Sequence, residues 1–117
     1  MMRELKSATD LEAALSASEE QPVLLFKHST ACPVSGSAYQ RVQSYINDAG
    51  EKAPPVYMVK VIEARPVSNE IAQRLAVTHQ SPQMLLVQNR QAVWNASHGG
   101  IDGRSIGEAL GRITPVS

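Results

Sequence analysis

The chain has 117 residues, 43% of them hydrophobic, and its 11 basic and 11 acidic residues cancel to a formal net charge of zero. That length suits one domain spanning 1–117, and a balanced charge without a basic block or aromatic ladder argues against nucleic-acid and membrane-surface partners. A single cysteine excludes an internal disulfide framework and a Cys-rich zinc site.

In chain order, Met1-Met2-Arg3-Glu4-Leu5-Lys6 lacks the apolar core of a signal peptide, and no apolar run reaches transmembrane length, so a cytoplasmic protein is expected. Thr9-Asp10-Leu11-Glu12 fits a capping box with Thr9 as N-cap. A short amphipathic helix follows, with Leu11 and Leu15 on its apolar face, ending near Ser18. Val23 to Lys27 is an apolar run of strand length. A helix after Cys32 carries Val34, Ala38, Val42 and Ile46 at four-residue spacing, with Gly50 as its stop. Val56 to Ile62 is a second strand. Strand, helix and strand in that order form a parallel unit with a right-handed crossover. Ser68 is read as the cap of another helix, with Ile71 and Leu75 on its buried side. Met84 to Val87 is a third strand, Asn89-Arg90 a turn, and Gln91 to Trp94 a fourth strand. The short link makes these last two antiparallel. Asp102 caps a final helix with Ile106, Leu110 and Ile113 facing inward, and Pro115 ends it.

The order α-β-α-β-α-β-β-α is that of an α/β, thioredoxin-like fold: a four-stranded mixed sheet flanked by helices. In that arrangement Ser81-Pro82, just before the third strand, takes the place of a cis-proline loop. Its Ser81 backbone would offer an edge to an extended client strand.

Cys32 stands where the first central strand gives way to a helix, and Pro33 follows it. Proline suits the first helical position because its missing N–H would be an orphan there. The helix N-terminus aims free N–H groups and partial positive charge at the sulfur, which favours the thiolate. A lone cysteine also fits a small buried hydrophobe, but polar neighbours on both sides place this one at a partly exposed tip. Gly36 reads either as a weak helix position or as open backbone beside the sulfur. His28 reads as a loop residue that strand alternation carries away from Cys32. Arg65 and Asn69 read as surface residues of a turn, His79 and His98 as outer groups, and Trp94 as core. The three histidines lack helical metal-ligand spacing, so no metal site is expected.

Three segments, Lys27-His28-Ser29-Thr30-Ala31-Cys32-Pro33-Val34-Ser35, Val61-Ile62-Glu63-Ala64-Arg65-Pro66-Val67-Ser68-Asn69 and His79-Gln80-Ser81-Pro82-Gln83, resemble the monothiol bacilliredoxin-like family called YtxJ, or bacilliredoxin C. Trp94-Asn95-Ala96-Ser97-His98 also resembles it, although Gly99 stands where the family is expected to carry a large aromatic residue. The resemblance implies a thiol–disulfide oxidoreductase with no bound cofactor. Its co-substrate would be bacillithiol, a low-molecular-weight thiol, and its partners client proteins carrying mixed disulfides. Cys32 corresponds to the family's reactive cysteine, Ser35 to its serine and Pro82 to its loop proline. Ser35, in the place of a resolving cysteine, is expected to hydrogen-bond the thiolate. Pro33, Thr30, Lys27, Ser81 and Pro82 are the expected substrate-binding residues, with Lys27 offering charge to the small thiol's carboxylates. Two other readings remain open. One is an iron–sulfur cluster module like the monothiol glutaredoxins, which carry Cys-Gly-Phe-Ser rather than Cys-Pro-Val-Ser. The other is an adaptor that keeps the fold without the chemistry.

Overall fold

A computed structural model describes residues 2–113. The elements are β1 (Met2–Glu4), α1 (Ala8–Ala17), β2 (Val23–His28), α2 (Pro33–Ala49), β3 (Val56–Lys60), α3 (Arg65–Leu75), β4 (Gln83–Gln88), β5 (Gln91–Ser97) and α4 (Gly103–Arg112). Short 3₁₀ turns occupy Gly50–Lys52 and His98–Gly100. The sheet has five strands, in the order β1-β3-β2-β4-β5. β3 runs parallel to both β1 and β2, while β4 is antiparallel to β2 and β5. The expected four-stranded count is corrected by β1, which adds to the free edge of β3. Three residues are too few to show a period of two, so that strand exists only through its partner.

Alternation along β2 builds two core layers. Val23 and Leu25 face α1 and α3, where they join Leu11, Leu15, Val59, Ile71 and Leu85. Leu24 and Phe26 face α2 and α4, where they join Ala38, Val42, Met84, Leu86 and Ile106. Both layers leave β2 buried along its whole length, as its unbroken apolar run requires. Trp94 packs at the margin of the α2–α4 layer, as do Leu110 and Ile113. Among the described residues no helix is long and apolar enough to cross a membrane.

Two helix starts differ from expectation. The N-cap of α1 is Ser7, not Thr9: Ser7 Oγ accepts the Asp10 N–H, and the Asp10 carboxylate accepts the Lys6 N–H at 2.9 Å. Ser-x-x-Asp two residues earlier wins over Thr-x-x-Glu because Asp10 satisfies a second orphan donor. Helix α3 begins at Arg65 with Ala64 as its N-cap, so Ser68 lies inside the helix and its buried hydroxyl has no partner. Pro66 in the first turn preorganises φ and pulls the start forward. Strand β3 also stops at Lys60, leaving Ile62 half exposed in the turn. At the other end, Asp102 caps α4 as expected, with Ser105 closing a reciprocal box. Pro115 lies outside the described residues.

Freed from capping, Glu12 ties α1 to two other parts of the chain. Its carboxylate accepts from Arg74 at 2.8 Å and from Arg90 at 2.6 Å, and Arg90 also pairs with Glu19. The Arg90 and Arg74 guanidiniums hold Glu12 at about 2, against its ordinary 4.5. A depressed carboxylate contributes stability that is fully present above pH 4.5 and fades as pH falls through about 2. Thermal melts of the parent and a Glu12→Gln chain are therefore expected to differ at pH 7 and to converge toward pH 2. Because the cluster is exposed, 1 M salt should shrink the difference. Parallel melting curves at every pH would show that the cluster contributes nothing.

Candidate functional site

The site is built where β2 ends and α2 begins. Cys32 is the N-cap of α2, in extended conformation at φ −115° and ψ 120°, with Pro33 at the first helical position. Its carbonyl accepts the Gly36 N–H at 3.0 Å, which is the first bond of the helix. Its own N–H donates to Ser29 O at 3.3 Å, closing the Ser29–Cys32 turn. Cys32 is partly exposed, and its sulfur makes no capping hydrogen bond to the first turn of α2. Pro33 and Val34 beside it are exposed, Val34 by half. The buried stripe of α2 thus starts at Ser35 and Ala38 rather than at Val34, because the first turn projects beyond the end of the sheet.

Ser35 is completely buried. Its Oγ accepts the Ser29 N–H at 2.9 Å and lies 2.7 Å from His28 Nδ1. One imidazole tautomer takes the hydroxyl hydrogen at Nδ1 and the other donates to Oγ; in both, the oxygen pins the 29–32 turn from below. The expected hydrogen bond from Ser35 to the sulfur is not formed, because the hydroxyl turns inward to His28 and Ser29. His28 itself is buried, which corrects its reading as a loop residue. Its ring stacks on Phe26, with centroids 5.6 Å apart, and tilts against Tyr39 at 5.1 Å. Burial, reinforced by the Lys60 charge, pushes the imidazole below its usual 6.5 and keeps it neutral. Alternation along β2 does turn His28 away from Lys27, but toward α2, where Ser35 waits. The Phe-x-His alternation was the available signal.

On the opposite face of β2, Lys27 is only 1% exposed. Its ammonium lies 3.1 Å from His79 Nδ1. That burial corrects the expectation that Lys27 presents charge to a ligand. Desolvation lowers its pKa to about 8. Lys27 pairs in register with Gln83 of β4. Continuing the register brings Pro82 level with His28, at the sheet end that carries Cys32. The Ser81–Pro82 bond is cis, as expected. Pro82 is buried, and its carbonyl accepts the His98 N–H at 3.2 Å. Thr30 is exposed and donates to Glu63 Oε2 at 3.2 Å, linking the cysteine turn to the segment after β3. Arg65 and Asn69 are exposed, as read. A side chain at Gly36 would meet nothing within 4 Å, and the same holds at Gly99.

Arg41 was missed from sequence. From α2 its Nε donates to Ile101 O at 2.6 Å and its Nη2 to His98 O at 2.9 Å. It anchors the His98–Gly100 turn, which in turn meets Pro82. An Arg41→Met chain is expected to lose about 2 kcal/mol in urea unfolding, since charge-assisted bonds to two carbonyls disappear. Amide exchange at residues 98–101 should rise with it. Unchanged protection there would show that the turn stands without the arginine. Among the described residues, no group of three or more His, Cys, Asp or Glu side chains is arranged to hold a metal.

The profile of the monothiol bacilliredoxin BrxC family matches residues 3–106, which takes in every element up to the middle of α4. The chain belongs to the monothiol bacilliredoxin BrxC family. Its partly exposed lone cysteine is in keeping with a monothiol member. A solved protein with a thioredoxin fold, provisionally assigned as an oxidoreductase, superposes with a TM-score of 0.83 at 30% identity over 93% of each chain. Fasciola hepatica thioredoxin superposes with a TM-score of 0.73 at 18% identity, covering 97% of this chain and 100% of its own. Arabidopsis thaliana thioredoxin O2 in its oxidised state gives 0.72 at 18% identity, covering 96% of this chain and 93% of its own. The last two likenesses show the fold alone. Together with the family, they make this bacilliredoxin a thioredoxin-fold protein of the thiol-oxidoreductase type.

Proposed function

We propose that this bacilliredoxin exchanges a bacillithiol-type small thiol with mixed disulfides on client proteins through Cys32. The observation that carries the reading is the placement of the lone, partly exposed cysteine at the N-cap of a Pro-initiated helix in a chain of this family. The Cys32 thiolate attacks the small-thiol sulfur of the client mixed disulfide. A Cys32–small-thiol disulfide forms, the client S–S bond breaks, and the client leaves as a thiolate that takes a proton from water. A second small-thiol thiolate then attacks the small-thiol sulfur on Cys32. It leaves as the oxidised small-thiol dimer, and Cys32 returns as thiolate. A reductase for that dimer completes the cycle.

In this reading Cys32 is the nucleophile and Ser35 holds the cysteine turn in shape through His28 and Ser29. Ser35 cannot resolve the adduct intramolecularly, so an outside thiol is required. Pro33 and Thr30 flank the sulfur, and the backbone of Ser81-Pro82 receives the client strand. The reaction belongs to the reducing cytoplasm, where small thiols are kept reduced. Intact-mass measurement after incubation with oxidised bacillithiol tests the reading. One small-thiol adduct is expected on the parent chain, removable by added thiol, and none on Cys32→Ala. An unmodified parent under conditions that modify a free cysteine would overturn it and favour an adaptor.

A further inference from the structure

Lys27 is the most unusual residue in the interior. It occupies the last inward-facing position of β2 on the α1–α3 side, where Val23 and Leu25 precede it as core. Its side chain is buried, and the contact it makes is to an imidazole, not to a carboxylate. Gln83, its register partner, is equally buried at 1% exposure. Gln83 Nε2 donates to Thr78 O at 3.1 Å, and its Oε1 accepts the Gln80 N–H at 3.3 Å. Two buried polar side chains, opposite one another on neighbouring strands, therefore reach into the same three residues, 78–80. Those residues lead directly into Ser81-Pro82. On its outer side the segment borders an open, mostly polar cleft of about 400 Å³ that includes Val77, Thr78, Gln80 and Asn95. From the sheet side the segment is held by the contacts of Lys27 and Gln83.

We infer that the buried Lys27 and the exposed His79 form a tie, reaching from the interior to the surface, that positions the 78–82 segment for the incoming client strand, so that Lys27 is a positioning residue for client exchange. This rests on the thiol-exchange reading above. A strand residue that served packing alone would be apolar here, because an ammonium buried without a carboxylate is unfavourable. The tie needs a neutral His79 with Nδ1 free to accept. Burial, then the Lys27 charge and the Arg65 charge, push His79 below its usual 6.5. The groups around the tie are Lys27 from β2, Arg65 from α3 and the neutral Gln83 from β4; His28 lies across the sheet. When His79 protonates it can no longer accept, and two cations face each other, so the tie opens in acid.

The test compares the parent with Lys27→Met and His79→Gln. Two rates are measured from pH 5 to 8: reduction of a client-peptide mixed disulfide, and alkylation of Cys32 by iodoacetamide. Dividing the first by the second removes the titration of the sulfur. For Lys27→Met the ratio at pH 7 should fall roughly tenfold, the scale of a positioning loss, while thermal stability holds or rises. The parent ratio should decline below pH 6.5, the usual histidine value. His79→Gln keeps an acceptor without a titration, so it should retain the neutral-pH ratio and lose the acid decline. An unchanged ratio in Lys27→Met, or an acid decline persisting in His79→Gln, would overturn the proposal. Imidazole NMR of the full chain decides the tie without any client: His79 should be the Nε2–H tautomer, and Lys27→Met should raise its pKa. An Nδ1–H tautomer would refute the tie. A parent that reduces no client disulfide, yet shows the expected tautomer and shift, would refute the exchange reading and the positioning role while leaving the tie in place.

Discussion

A Cys32→Ser chain is expected to lose client exchange and adduct formation entirely, while folding as well as the parent or better. The hydroxyl is not ionised near neutral pH and forms no disulfide, so the first bond of the proposed cycle cannot form. Stability moves the other way. Cys32 is the N-cap of α2 and its sulfur makes no capping bond. Serine at an N-cap accepts from an orphan N–H of the first turn, and the N–H three residues on, at Ser35, is the natural donor. A gain of about 0.5–1 kcal/mol in urea unfolding follows. The pairing of lost chemistry with gained stability is diagnostic, because it shows a position held by cysteine for its reactivity and not for its packing. Residual exchange in this chain would mean that the chemistry does not run through Cys32, since the chain has one cysteine.

The second large effect is expected at Ser35. Replacing it by alanine removes the acceptor of the Ser29 N–H and the partner of His28 Nδ1, both buried. Unsatisfied buried polar groups cost about 1–3 kcal/mol each, and partial relaxation toward water brings the expected loss to about 2 kcal/mol overall. That corresponds to a fall of roughly 10 °C in Tm. Alkylation of Cys32 should change less than stability, since Ser35 touches the turn and not the sulfur. A Ser35→Ala chain that melts with the parent but alkylates far more slowly would reverse this assignment and return the hydroxyl to the thiolate.

The parts of this molecule legible in its sequence are those whose causes are local. The apolar run of β2, the Cys32-Pro33 helix start, the Asn89-Arg90 turn and the Asp102 cap each depend on neighbours a few residues away. Their spacing carried the thioredoxin-like order before any contact was known. Local signals failed where two of them competed. Ser7 and Thr9 both offered a capping frame to α1, and Pro66 outranked Ser68 at the start of α3. They also failed for β1, which has too few residues to show a period and needs the edge of β3 to exist.

The site divides along the same line. By itself the chain determined that there is one cysteine, that it sits at a helix tip, and that no second cysteine of this sequence stands where Ser35 does. Only the tertiary structure decided what surrounds the sulfur. Lys27 meets His79 across 52 residues, and Arg41 meets His98 and Ile101 across 57 and 60. Ser35 turned out to face the imidazole of His28, and Lys27 the interior. Residue type and spacing state what a side chain can do. Which partner it meets depends on strand register and on the packing of helices over a sheet, and those arise only when distant segments are brought together.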